Sequence, residues 1–169
     1  MTCIVGIAEG GKVYIGGDST AAGGYALTVR ADRKVFRNGD FVMGFTTSFR
    51  MGQLLHHSFS PPKRHPDTGV DKFMVTDFVN AVRQCLKDGG YAERHNEAER
   101  GGVFLVGYQV GEAADSFDAV GCGGQIAQGA LFANPAGPPR ERLRIALEAA
   151  EHFSAGVRGP FHFEEGGGV

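Results

Sequence analysis

The sequence predicts an α+β chain built as a four-layer αββα sandwich, with two sheets face to face and helices outside. Three observations carry this. β-Branched and apolar stretches come in groups rather than singly between helices, and helical apolar spacing comes in two later pairs. The 27 glycines, many in pairs and triplets, mark tight turns between short elements. The order is strands, two helices, strands, two helices and a last short strand. It lacks the strict βαβα alternation of a doubly wound sheet. At 169 residues the chain is sized for one domain over residues 1–169.

Thr2 to Ile7 is β-branched and apolar and reads as a strand. Glu9-Gly10-Gly11-Lys12 turns it into a second strand, Val13 to Ile15, ending at Gly16-Gly17-Asp18. A glycine-marked loop, Ala21 to Gly24, leads to an extended piece at Ala26 to Val29. Arg33 to Phe36 and Phe41 to Phe45 then flank Asn38-Gly39, a hairpin signal. Helical spacing runs from Ser48, an N-cap candidate, to about His57. Residues 58–70 are rich in proline and polar side chains and read as a loop. Val75, Phe78, Val79, Val82 and Leu86 form one apolar stripe at helical spacing, closed by Gly89-Gly90. A charged loop to about Arg100 precedes a strand at Gly102 to Gln109. A further strand, Phe117 to Val120, runs into Gly121-Cys122-Gly123-Gly124. A small-residue helix through Ala133 and a helix from about Pro139 to Phe153 follow. A strand at Pro160 to Phe163 and a disordered glycine-rich tail, 164–169, complete the reading.

Composition narrows the function classes. A formal charge of −2 gives no basic surface for nucleic acid or an anionic membrane. The longest apolar runs are far short of a membrane span. Cys3, Cys85 and Cys122 are odd in number and far apart, which fits a reducing cytoplasm rather than a disulfide framework. His56-His57 reads as a solvated helix end, and no HExxH metal motif is present.

Three residues share a spacing: Thr2, Asp18 sixteen positions on, and Lys34 sixteen beyond that. With Thr2-Cys3-Ile4-Val5-Gly6, Gly16-Gly17-Asp18-Ser19, Arg33-Lys34-Val35 and Gly44-Phe45, they resemble the proteasome β-subunit family of N-terminal nucleophile hydrolases. The likeness is strongest to its bacterial branch, the HslV peptidase. Ala119-Val120-Gly121-Cys122-Gly123-Gly124 is similar to that family's Gly-Ser-Gly turn before a helix. The likeness covers residues 2–57 and 118–135; elsewhere only the order of elements supports it.

Each residue has a task in such a site. A threonine hydroxyl needs a base within hydrogen-bond reach. Removal of Met1 would supply one, the α-amine of Thr2 itself, whose reference pKa of about 8 leaves it partly neutral at pH 7. A lysine ammonium nearby keeps that amine unprotonated, and Asp18 would hold Lys34 in place. The resemblance gives Gly44 the backbone N–H that holds the oxyanion, a donor of roughly 3 kcal/mol. It pairs an extended peptide with the backbone at Ala21 and from Gly44 through Phe45 to Thr46, and lines the adjoining pocket with Ala21 and Val42. Both are small and apolar and suit a modest hydrophobic side chain; Asp32, near the same pocket, would favour a basic one. No metal or organic cofactor is implied.

The resemblance further implies a peptide or unfolded-protein substrate, self-assembly into homo-oligomeric rings and feeding by an ATP-dependent unfoldase. Four departures stand beside it. Cys122 replaces a serine, either as a weaker hydrogen-bond partner near the terminal amine or as a small buried residue. Ser154 stands where relatives outside the bacterial branch carry an aspartate. The chain is short after Gln109, and Met1 blocks the amine while it remains attached. A silent ring-forming scaffold and a small-amide hydrolase of the same fold remain alternatives.

Overall fold

The computed structural model describes residues 1–23, 26–95, 98–101 and 113–167. The expected strand at Gly102 to Gln109 and the stretch just after it lie outside them. The chain groups into two units, Met1–Phe49 with Ala113–Val169, and Arg50–Glu112.

In the first unit, β1 (Cys3–Glu9) and β2 (Lys12–Gly17) form the predicted opening hairpin, with Glu9 opposite Lys12. β9 (Phe117–Gly121) pairs antiparallel with the other edge of β1. β10 (His162–Gly167) pairs with the free edge of β2, giving the strand order β10-β2-β1-β9. The tail from residue 164 is therefore ordered strand as far as Gly167, not disordered. Its pairing uses main-chain groups, so a glycine-rich sequence can still satisfy the open edge of β2.

Strand alternation gives this sheet two apolar faces. Cys3, Val5 and Ile7 point to one, where they join Ala127 and Leu131 of α4 (Gly124–Ala133) and Leu143, Ala146, Leu147 and Ala150 of α5 (Pro139–Phe153). Ile4 points to the other, toward the hairpin of β5 (Val35–Asn38) and β6 (Phe41–Gly44). The approach there is close: a Cβ on Gly17 would lie 2.8 Å from the Ile4 side chain and 2.9 Å from that of Val35. Helices, sheet and hairpin thus form three successive layers. The β5–β6 turn falls at Gly39-Asp40, one residue later than the sequence suggested. Only Gly39 of that pair has a positive φ, +58°, so the residue able to adopt it sets the register. β3 (Thr20–Gly23) and β4 (Ala26–Val29) form a separate two-stranded ribbon.

In the second unit, α1 (Phe49–His57) starts directly after Ser48 and ends on the stacked, exposed rings of His56 and His57. The long predicted helix is α2 (Val70–Phe73), a π-helical turn (Met74–Phe78) and α3 (Val79–Asp88). The extra residue in the π turn rotates the stripe, so Phe73 and Leu86 are buried whereas Val75 is 54% exposed. Phe78 packs edge-on against Phe59, with ring centres 5.6 Å apart. The segment read as a charged loop forms a hairpin of β7 (Ala92–His95) and β8 (Ala98–Gly101). Ladder pairing there needs no apolar alternation, the signal the sequence reading relied on.

Candidate active site

The register of the four-stranded sheet decides what surrounds Thr2. β1 is a central strand, so the residue just before it is enclosed from both sides, and Thr2 is only 2% exposed. Ile4 opposes Gly17 of β2, which brings Asp18 level with Cys3; the Asp18 N–H donates to the Cys3 carbonyl at 3.2 Å. Cys3 also opposes Gly121 of β9, which brings Cys122 level with Thr2. Lys34, just before β5, reaches in from the hairpin layer. Strand ends from two layers therefore converge on the first residues of the chain.

Asp18 and Lys34 are 0% and 1% exposed, and Lys34 Nζ donates to Asp18 Oδ1 at 2.8 Å. A buried pair needs its remaining lone pairs satisfied. Asp18 meets this with main-chain donors: Cys3 N on Oδ1 at 3.0 Å, Thr20 N on Oδ2 at 3.0 Å, and Arg158 N on Oδ2 at 3.5 Å. Burial pushes the Lys34 ammonium below its ordinary value, and the hydrogen bond to Asp18 opposes that shift. Lys34 Nζ also lies 3.4 Å from the Met1 carbonyl, which accepts a further bond from the Thr2 hydroxyl.

The Cys122 sulfur accepts from the Thr2 N–H at 3.3 Å and from the Ser154 hydroxyl at 3.7 Å. It is exposed, which removes the reading of Cys122 as a small buried residue. Gly121 makes the turn possible. Its φ is +98°, and a Cβ there would lie 2.2 Å from the Thr2 carbonyl oxygen.

Cys3 differs from Cys122. Burial, reinforced by the Asp18 carboxylate, pushes the Cys3 thiol up to about 12. Because thiolates are the reactive form, iodoacetamide at pH 8 should alkylate Cys122 in the native protein and spare Cys3. Peptide mass mapping checks this, and modification of native Cys3 would contradict its burial.

Beside the terminus lies an open groove of about 350 Å³, bordered by Met1, Ala21, Gly23, Ala26, Thr28, Thr47 and Phe49. Ala21 borders this groove together with Met1. Asp32 binds Arg30 through two bonds of 2.6 and 2.8 Å, which hold its carboxyl below the usual range; the Arg30 guanidinium in turn covers the Phe49 ring at 4.2 Å. Asp32 is therefore matched by its own arginine rather than open to a basic substrate group.

Compared with solved structures, the chain aligns over 99% of its length with two structures of Thiobacillus denitrificans BPH, one in complex with epoxomicin. The TM-scores are 0.75 and 0.74 at 18% and 19% identity, covering 100% and 99% of those chains. It aligns over 97% of its length with eukaryotic HslV from Trypanosoma brucei, at a TM-score of 0.62 and 18% identity over 98% of that chain. The chain has the HslV-type fold. No family model and no curated protein matches the sequence.

On this HslV-type fold, Thr2, Asp18, Lys34 and Cys122 come together, and the remaining sequence candidates are dispersed. Val42 packs toward Gly166 and borders a different groove, beside the β1–β2 turn. One strand residue, Met43, separates it from Gly44, and side-chain alternation alone could not tell which end of β6 approaches Thr2. Phe45 is buried against Phe49, and its N–H is used on the Lys34 carbonyl at 3.0 Å. Gly44 faces the side chains of Ile4 and Ile15. The residue of this segment that borders the groove is Thr47, which the sequence reading missed. Thr46 O accepts from Ser48 N at 2.9 Å, a γ-turn that holds Thr47 at φ +77°. Nothing in the sequence signals this, because a β-branched residue is disfavoured there.

Proposed function

We propose that this chain is a threonine peptidase in which removal of Met1 frees Thr2 as both nucleophile and base. The observation that supports it most is the enclosure of Thr2 between the buried Lys34–Asp18 pair and Cys122. Thr2 Oγ attacks a peptide carbonyl while the α-amine takes its proton; the amine returns that proton to the leaving nitrogen, and water hydrolyses the resulting ester. The Lys34 ammonium disfavours protonation of the amine and Asp18 orients it. Cys122 sulfur, beside the Thr2 nitrogen, is the acceptor for the amine. The oxyanion donor is assigned to the backbone of the Thr46–Ser48 turn rather than to Gly44, because Thr47 borders the groove and Gly44 does not.

The same reading includes the complete four-layer stack as a single domain, a peptide or unfolded-protein substrate, ring assembly, an ATP-dependent unfoldase as partner and a cytoplasmic setting. The silent scaffold is favoured by one observation: with Met1 attached, the Thr2 nitrogen is an amide and the Met1 carbonyl occupies Lys34.

Intact mass separates the two, measured with and without epoxomicin, the ligand of the Thiobacillus protein. The expected result is loss of Met1 and one adduct per chain, absent in Thr2→Ala. A chain freed of Met1 that still forms no adduct would overturn the peptidase reading in favour of the scaffold.

A further inference from the structure

The last turn of α5 leaves main-chain carbonyls without helical partners. Ser154 N takes that of Ala150 at 2.9 Å. Arg158 takes others: its Nη1 lies 2.7 Å from Val157 O, 3.1 Å from Glu151 O and 3.4 Å from Ser154 O. The Glu151 carboxylate completes the clasp by accepting from Gly159 N at 2.9 Å. One guanidinium thus folds residues 154–159 back onto the helix end, where a cation is also favoured by the helix dipole.

The strap so held faces the threonine site with its main chain. Arg158 N reaches Asp18 Oδ2 at 3.5 Å, and Arg158 O accepts from Ser19 N at 2.9 Å. At the other end Cys122 Sγ lies 3.6 Å from Gly156 O, sharing its one hydrogen between that oxygen and Thr2 O at 3.4 Å, and accepts from the Ser154 hydroxyl at 3.7 Å. Gly156 N in turn donates to Ser154 Oγ at 3.3 Å. Asp18 and Cys122 flank Thr2 from two different strands, and residues 154–158 bond to both.

We infer that Arg158 is a positioning residue for the threonine site: its guanidinium fixes the Ser154–Arg158 strap, and the strap sets Asp18 and Cys122 about Thr2. This rests on the peptidase reading above. The guanidinium of Arg158 hydrogen-bonds to the main-chain oxygens of Glu151, Ser154 and Val157, none of which borders the groove, so its effect passes through the main chain it holds.

The test compares wild type, Arg158→Ala and Arg158→Lys as full chains. It measures the rate of epoxomicin addition at Thr2, the alkylation rate of Cys122 relative to Cys85, and the melting temperature. Cys85 lies in the other unit and serves as an internal reference. Arg158→Ala should slow Thr2 modification roughly tenfold, as expected when a reacting group loses its alignment. It should also raise the Cys122-to-Cys85 ratio severalfold, with partial recovery of both in Arg158→Lys. A lower melting temperature with both readouts unchanged would make Arg158 a helix cap and overturn the inference. If Arg158→Ala does not fold, Arg158→Lys with wild-type values in both readouts overturns it equally. A wild type freed of Met1 that takes no epoxomicin refutes the peptidase reading instead; the thiol ratio then judges the strap, and an unchanged ratio overturns that too.

Discussion

Lys34→Met should cost the protein about 3–5 kcal/mol of stability, because it strands a charge that the fold has fully enclosed. Asp18 is 0% exposed, and its main-chain donors supply hydrogen bonds but no counter-ion. Chemical denaturation of wild type, Lys34→Met, Asp18→Asn and the double variant measures this. The double variant should recover most of the loss, since replacing both members of a buried pair is far cheaper than removing one. A loss in the double variant equal to the sum of the two single losses would mean that the pair is not coupled in the folded chain. Epoxomicin addition should fall roughly 10²–10⁴-fold in Lys34→Met, the range of a lost acid–base contribution. The pH dependence has a definite sign. Burial lowers the Lys34 value in the folded chain from an ordinary 10.5. The unfolded chain therefore binds that proton more tightly, and wild-type stability gains with pH between the lowered value and 10.5. Lys34→Met should abolish that gain.

Gly121→Ala is expected to lose roughly 2–5 kcal/mol, combining backbone strain at a positive φ with overpacking. The cost is not absorbed by a side chain that can swing away: the added carbon would meet the Thr2 carbonyl at 2.2 Å. Either β9 slides off β1 or Thr2 shifts, and both misplace the nucleophile. Thermal unfolding and epoxomicin addition should fall together. A stable Gly121→Ala protein that labels at the wild-type rate would show that the β9–β1 register does not locate Thr2.

Thr2, Asp18, Lys34 and Cys122 were legible in the sequence through the resemblance of the motifs around them; that Thr2, Asp18 and Cys122 sit one residue beyond paired strand ends depends on the β1–β9 pairing, which the sequence does not signal. In α5 the buried Leu143 and Leu147 followed from apolar spacing, whereas only Leu86 of the stripe predicted over Val75 to Leu86 is buried. Thr47 was not legible, because its position depends on a γ-turn that its own residue type disfavours. The Ser154–Arg158 strap was not legible either, since it is made by one side chain bonding to main-chain oxygens, a pattern with no periodicity. Val42 was misjudged for a related reason: alternation says which face a strand residue takes, not how far along the strand the chain terminus lies. The ordering of Glu164 to Gly167 depended on an unpaired edge of β2, a feature of the folded sheet and not of the tail.

The convergence of strand ends on Thr2 ties reactivity to cooperativity. Chain termini usually fray with little consequence for the rest of a protein. Here Thr2 directly precedes a central strand and bonds through its N–H to Cys122 beyond the end of β9, so its release is tied to opening the paired end of β1. On the proposed function, Thr2 modification should then persist until the end of β1 opens and vanish with it, which makes Thr2 a built-in reporter of that pairing.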